Sequence, residues 1–321
     1  MTEFSLINRF CRDIGASHPQ TSLSVGDDAA LVQIPATKEL AISVDTMVES
    51  VHFLPHIDPA TLAKKLLAVN LSDMAAMGAE AKWATLALTL PSVDEAWLAN
   101  FSNALDDMAK SYGVQLIGGD TTQGPLTLSL QIMGLVDKGR ALRRGGCALG
   151  DDVYVSGCVG DAALALASIL GQESLADGEF EQIESAFHCP IPQCTLGRSL
   201  IGLAASCIDL SDGLLGDLQH IASTSDVSIS INLENLPLSD TYRRYLKAGG
   251  KLDYAICGGE DYQLAFTANQ NNRQQIEQLT SQLGIQVTRI GVAQQRGEIG
   301  VITKMNGKPY PVKATGYQHF N

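Results

Sequence analysis

Two periods of apolar residues take turns along the chain. Short alternating or unbroken apolar runs read as strands, and longer runs with apolar residues three and four apart read as helices. MTEFSLINRFCRDIG at the start has the pattern of an amphipathic helix. LAISVD (40–45) is a strand that ends on an acid. Asp58 is placed to cap a following helix with Pro59 in its first turn, and that helix runs to about Gly78. KWATLALTLP (82–91) is the next strand, and residues 94–113 are helical and stop at Gly113. VQLIGGD (114–120) is a strand running into a glycine turn, and residues 126–136 are another strand.

Residues 137–152, DKGRALRRGGCALGDD, are basic and glycine-rich and mark a domain boundary. An N-terminal domain over 1–138 and a C-terminal domain over 139–321 are therefore expected. The second half opens with strand, glycine turn and helix. Residues 199–223 give a helix, a short strand, a turn and another helix, and 226–250 reads as strand plus loop. GGEDYQLAFTA leads into a strand, 271–284 is a helix and 286–293 a strand. The fold class is α/β (α+β) in two domains, with acids at strand ends, where open α/β sheets bind ligands.

One helix face carries chemistry. Leu62, Leu66, Asn70, Asp73 and Met77 are spaced to share it, and it is otherwise apolar, while Lys64 and Lys65 mark the polar face. An Asn and an Asp one turn apart on an inward face need a partner. Asp73 is thus a ligand candidate, against the plain alternative of a helix turned so that Asp73 meets water.

Composition sharpens this. Acids recur in GDD (Asp27, Asp28), SVD (Asp45), LSD (Asp73), GGD (Asp120), DLSD (Asp209, Asp212) and GGED (Glu260, Asp261). No Lys or Arg lies between Arg12 and Lys38, between Lys38 and Lys64, or between Arg144 and Arg198. Carboxylates gathered without counter-charge repel, so the chain must either keep them apart in water or supply a cation, and the shortage of Lys and Arg favours a cation. All-oxygen donors select a hard divalent ion, Mg²⁺ ahead of Ca²⁺ where phosphates are present. Taken singly, GDD reads as a surface turn, SVD as a strand-end cap and GGD as a tight turn or a phosphate-approach loop. SGCVGD (156–161) reads as a packed strand-to-helix turn rather than an anion cradle, and Asp212 doubles as a natural N-cap. Arg140, Arg143 and Arg144 form the tight basic cluster, suited to phosphate or to a solvated linker.

The net charge of −13 excludes a broad nucleic-acid footprint, and no apolar run reaches membrane-spanning length. Seven cysteines without a CxxC pair point to reduced thiols in a cytoplasmic protein, and the N-terminus lacks the order of a signal peptide. There is no GxxxxGK[ST], no kinase-type HRD/DFG set and no GxSxG.

Taken in order, GDDAA, SVDTMVESVHF, NLSDMAAMGA, LIGGDTT, ALRRGGCALGD, VYVSGCVGDAA, CIDLSDGLLGDL, GGEDYQL and the terminal GYQHF resemble one family over nearly the whole chain. The chain is similar to the bacterial thiamine-monophosphate kinases, of the aminoimidazole-ribonucleotide-synthetase superfamily. The resemblance implies an N-terminal mixed sheet with helices that pairs in a homodimer, and a C-terminal α/β domain. It implies ATP as co-substrate, several Mg²⁺ ions and phosphorylation of thiamine monophosphate to thiamine diphosphate, the last step in making that cofactor. On the matching positions it implies metal ligation by Asp28, Ser43, Asp45, Asp73, Asp120, Asp209 and Asp212. Nucleotide contacts fall on Gly119, Asp120, Arg144, Ser211 and Tyr112, and substrate contacts on His52, Glu260 and Tyr317. Asp73, Asp120, Arg144 and Asp212 carry the catalytic role. Val44 departs from the pattern, standing where many relatives have Thr. Two alternatives stay open: another ATP-using enzyme of the superfamily, and a non-catalytic metal- or nucleotide-binding regulator.

Overall fold

The computed structural model describes residues 3–295 and 300–312, and the chain divides into two compact units. One comprises residues 1–74 and 79–140, the other residues 75–78 and 141–321.

The first unit contains α1 (Glu3–Phe10), β1 (Thr21–Leu23), β2 (Leu31–Val32), β3 (Lys38–Val48), α2 (Pro59–Ala76), β4 (Glu80–Leu90), α3 (Glu95–Tyr112), β5 (Gln115–Gln123) and β6 (Thr127–Asp137). Its main sheet has the order β3-β6-β4-β5, with β4 and β5 parallel and the other pairs antiparallel. Helix boundaries follow their caps. Asp58 accepts from Thr61 N at 2.9 Å before α2. Asp94 accepts from Ala96 N and Trp97 N before α3, which ends on Gly113 in the left-handed region. Inward, Leu128, Leu130 and Ile132 of β6 are fully buried. A Cβ on Gly134 would sit 2.8 Å from Met74 Sδ, so α2 lies close on this face. Leu62, Leu66, Leu67 and Leu71 of α2 are also fully buried, each worth about 1.5–3 kcal/mol. The other sheet face holds a smaller cluster, Trp83, Ile117, Met133 and Leu135, with Val32 of β2 packed against it. Beyond that cluster Ile42 and Val44 stand more than half exposed.

The second unit contains β7 (Asp152–Ser156), α4 (Asp161–Ile169), α5 (Phe180–His188), α6 (Cys194–Ser199), β8 (Ala204–Asp209), α7 (Leu214–Ser225), β9 (Ser228–Asn232), α8 (Asp240–Lys247), α9 (Asp253–Cys257), β10 (Leu264–Ala268), α10 (Arg273–Leu283), β11 (Val287–Gln294), β12 (Val301–Met305) and β13 (Lys308–Pro309). Its sheet runs β13-β12-β9-β11-β7-β10-β8 and is antiparallel except where β12 pairs with β9. Both faces are covered. Val153, Val155 and Ala265 pack on one side with Leu164, Leu218 and Tyr242. Tyr154 and Phe266 stack on the other, with Leu196 and Ile276.

Four local expectations are corrected. Asp45 lies inside β3, not at its end, because pairing with β6 continues to Val48↔Thr127. GGD lies within β5: a register shift opposite Ala84/Thr85 leaves Ile117 unpaired, Gly118 and Gly119 then pair with Thr85 and Leu86, and pairing continues to Gln123. The helix expected from 199 ends at Ser199, and the chain turns through Gly202 at φ +86° before β8. Residues 240–247 form a helix, capped by Ser239 and anchored by buried Thr241, Tyr242 and Tyr245. Its polar composition hid the period.

Candidate functional site

In the first unit, two of the acidic motifs meet. Asp27 and Asp28 line one cavity of about 710 Å³ together with Gly118, Gly119 and Asp120, and Arg12 of the N-terminal segment faces it. Gly119 is required here: at φ +156° a Cβ would lie 1.9 Å from Leu86 O. The backbone of β5 therefore comes closer to β4 than any side chain would allow. Asp28 and Asp120 are both exposed, so both carboxylates can reach a bound cation or phosphate-bearing ligand.

The helix face singled out by its period is buried as expected. Leu62, Leu66 and Asn70 are 0% exposed, and half-buried Asp73 accepts a 2.5 Å hydrogen bond from Ser43 Oγ. Asp45 follows Ser43 by two residues on β3 and so shares its sheet face. Asn70 Nδ2 donates to Leu66 O, while its Oδ1 is a buried acceptor without a hydrogen bond. One expectation fails: Lys65 does not mark a polar face but is 1% exposed, because α2 is buried on nearly all sides. Lys64 is exposed. His52 is half-buried and its Nδ1 accepts from Val48 N at 3.1 Å, closing the turn after β3. Tyr112 is the half-buried last residue of α3.

In the second unit, the DLSDG and GGED loops are joined backbone to backbone. Glu260 N donates to Ser211 O and Tyr262 N to Leu210 O, each at 2.8 Å. The approach needs glycines: a Cβ on Gly259 would lie 2.3 Å from Ser211 O, and one on Gly213 would lie 2.7 Å from Cys257 O. Asp209 is 5% exposed at the end of β8, Asp212 is exposed, and Glu260 sits at φ +74°, a strained position for a non-glycine residue. Asp212 does not cap α7. Instead Asp217, inside the helix and 3% exposed, turns back so that Oδ2 accepts from Asp212 N (3.2 Å) and Gly213 N (3.1 Å). Burial, followed by the charges of Asp209 and Asp212, pushes Asp217 up to about 7. Sequence reasoning missed Asp217, although its place one turn into the helix was the available signal.

Asp261 and SGCVGD resolve together. Both oxygens of Asp261 accept from Gly160 N at 2.9 Å, so the start of α4 is already occupied by a carboxylate from the chain itself. Burial raises the Asp261 pKa well above the usual range despite those bonds. The SGCVGD segment is thus a packed turn.

Models of the AIR synthase related protein family match the chain, the N-terminal domain over residues 26–136 and the C-terminal domain over 150–304. The thiamine-monophosphate kinase of Escherichia coli K12 is 47% identical over 320 residues, covering 99% of this chain and 98% of the relative. The chain belongs to the thiamine-monophosphate kinase family. The crystal structure of the thiamine-monophosphate kinase from Stenotrophomonas maltophilia K279a superposes with a TM-score of 0.85 at 39% identity, covering 97% of this chain and 98% of that one. A relative complexed with AMPPCP and TMP gives a TM-score of 0.78 at 30% identity, with 92% of each chain covered.

Within this thiamine-monophosphate kinase fold, the structure gathers Asp28, Gly119 and Asp120 at one cavity and Ser43 with Asp73 at another place in the first unit. It gathers Asp209, Ser211, Asp212 and Glu260 in the joined loops of the second. Arg144 is exposed in the segment whose Arg143 O accepts from Cys207 N of β8. Tyr317 lies outside the described residues. Among the described residues, no three His, Cys, Asp or Glu side chains stand in a geometry that could hold a metal ion. No cysteine forms a disulfide, and none of the described helices is long and apolar enough to cross a membrane.

Proposed function

We propose that this chain transfers the γ-phosphoryl group of ATP to the phosphate of thiamine monophosphate, giving ADP and thiamine diphosphate. The observation that carries the reading is the cavity that joins GDD to GGD, because its glycine-constrained wall and exposed carboxylates suit a metal-bound polyphosphate. A relative with 47% identity over almost its whole length bears the name of that kinase, and a second was solved with AMPPCP and TMP.

The acceptor is a phosphate monoester, largely dianionic at neutral pH, so it needs no strong general base. The obstacle is charge. Two like unit charges about 4 Å apart repel by roughly 4 kcal/mol at an effective dielectric near 20, and each phosphate carries more than one. The donor atoms are all oxygen, the chemistry Mg²⁺ prefers, and Asp28, Ser43, Asp45, Asp73 and Asp120 in the first unit, with Asp209 and Asp212 in the second, would hold it. Asp209 and Asp212 stand close enough to Asp217 for their charges to add to the effect of burial on it, a crowding of carboxylates that a cation would relieve. Bound Mg²⁺ supplies charge neutralisation and a template for the phosphates. Gly119, Asp120, Arg144, Ser211 and Tyr112 hold the nucleotide, with Arg144 countering phosphate charge. His52 and Glu260, with Tyr317, orient the thiamine end. Asp73, Asp120, Arg144 and Asp212 keep the transferring group in line with its acceptor.

Residues 1–138 form the nucleotide, metal and dimer domain and residues 139–321 the second domain. The dimer reading draws on the open sheet face, where Ile42 and Val44 are 56% and 57% exposed on β3. A second copy of this chain covers that face in the cytoplasm, with no nucleic acid or membrane involved. The deciding experiment is ADP release at saturating Mg²⁺, with and without thiamine monophosphate. Release that depends on thiamine monophosphate supports the proposal. Release that ignores it, or tight nucleotide binding without turnover, refutes it.

A further inference from the structure

The second unit also carries a cavity of about 310 Å³ whose charge runs opposite to that of the acidic loops. Asn232, Asn235, Gln270, Arg273 and Arg289 surround Asp152 there. Asp152 is 2% exposed and takes a two-pronged bond from Arg273, Nε to Oδ2 at 2.5 Å and Nη2 to Oδ1 at 2.8 Å. Burial would raise its pKa, but the bonds and charge of Arg273, with help from Arg289, hold it below the usual carboxylate value. The Arg273–Asp152 pair is therefore complete by itself. Arg289 adds one longer bond, Nη1 to Oδ1 at 3.3 Å, and its side chain is 51% exposed. Most of its five N–H donors are not used on Asp152.

Three further features add positive potential or donors. Helix α10 begins at Arg273, so the positive end of its dipole opens here. No acid lies in its first turn, and its N-cap Asn272 makes no side-chain capping bond. Gln270 Nε2 is fixed on Gly150 O at 2.8 Å, and Asn232 and Asn235 bring two more amides to the rim. Strand β11 slips register between Arg289 and Gly291, and a Cβ on Gly291 would lie 2.2 Å from Ser230 O. Bulges of this kind re-aim side chains. Two guanidiniums and a helix start against one carboxylate leave an excess of positive charge in a chain of net −13. A tie needed only to hold α10 to the sheet would not require Arg289.

We propose that this cavity binds a small phosphate-type oxyanion, either the inorganic ion or the phosphate of a phosphorylated metabolite, with Arg289 as its main ligand and Arg273, Asn232 and Asn235 as supporting donors. Guanidinium groups with spare donors suit such an anion through paired charge-assisted bonds. The inference does not depend on the kinase reading.

The test titrates the full chain with inorganic pyrophosphate while AMPPCP, Mg²⁺ and thiamine monophosphate are present in excess. Heat and the Arg289 Nε–H resonance are followed. Saturable binding that shifts this resonance is expected. Arg289→Gln should weaken it by at least about tenfold while leaving ADP release unchanged. Asn235→Asp, which adds a negative charge at the rim without touching the ion pairs, should weaken it as well. Competition by glycerol phosphate would point to phosphorylated metabolites, and competition by phosphate alone to the inorganic ion. No saturation by about 10 mM, or equal affinity in both variants, overturns the site. Preference for citrate over pyrophosphate overturns the phosphate assignment.

Discussion

Replacing Asp217 with Asn in the metal-free protein gives a pH-dependent stability difference whose sign and size follow from the structure. The carboxyl is 3% exposed and is pushed from an ordinary 3.8 to about 7 by burial and by the charges of Asp209 and Asp212. A raised folded-state pKa means that the native protein holds this proton over a range where the unfolded chain has lost it. The group's contribution is therefore fully present below the unfolded value and is lost as pH rises through the folded value. A shift of about three units corresponds to about 4 kcal/mol in total, of which roughly 3 kcal/mol falls between about pH 5 and pH 8. Both backbone donors, Asp212 N and Gly213 N, bind the same oxygen, Oδ2. An Asn carbonyl can take over both bonds without the charge. Urea unfolding in EDTA across that range should show the wild type losing about 3 kcal/mol more than Asp217→Asn. The variant should be the more stable protein at the alkaline end. Added Mg²⁺ should stabilise the wild type more than the variant, since it offsets the repulsion that Asn has already removed. Parallel pH profiles for the two proteins would refute the reasoning, as would a variant less stable than wild type by the same margin at every pH.

Asp73→Asn and Asp212→Asn should each abolish ADP release with an unchanged circular dichroism spectrum; near-normal turnover in both would end the metal and catalytic roles proposed for them. Gly119→Ala forces a Cβ to 1.9 Å from Leu86 O, so a loss of about 1–3 kcal/mol in thermal stability and at least tenfold weaker AMPPCP binding are expected by calorimetry. Asp261→Ala removes the carboxylate that holds Gly160 N and should cost about 1–2 kcal/mol in urea while raising KM for thiamine monophosphate through a displaced Glu260. Asp261→Asn, which keeps an acceptor, should restore most of both.

The sequence was most legible where a local rule met no opposition. Asp58, Asp94 and Gly113 sit at the helix ends that their chemistry predicts, and the period through Leu62, Leu66 and Asn70 identified a buried face. It was least legible where tertiary contacts decided. Residue 65 is a lysine that burial on nearly all sides of α2 overrides. Gly118 and Gly119 look like a turn but lie in a strand, since they pair with Thr85 and Leu86 of β4, some thirty residues away. Helix α8 is held by Tyr242 and Tyr245 in a core that only the folded unit creates. Among the acids, the motifs named loops that the structure brings together in pairs, but they did not divide the labour within them. Asp212 looked like a cap, yet Gly213 holds that position, and it is Asp217, one turn into the helix, that folds back on the N–H groups of Asp212 and Gly213.

That division suggests a way to separate structural from functional acids throughout the chain. Carboxylates that accept from backbone N–H groups have their charge or lone pairs absorbed by the fold: Asp58, Asp94, Asp151, Asp217 and Asp261 each do so. Asp28 and Asp120 instead line a cavity from exposed positions, and Asp212 stands exposed beside a helix start capped by another residue. For exposed acids gathered together, Arg12 at the first cavity offsets part of the mutual repulsion, and water and salt reduce the rest. On the proposed reading, keeping such acids together is unfavourable without a divalent cation and would become favourable with one bound. The same repulsion would then favour the cation, so Mg²⁺ should raise the urea midpoint of the wild type; an unchanged midpoint at saturating Mg²⁺ would count against the proposed metal roles.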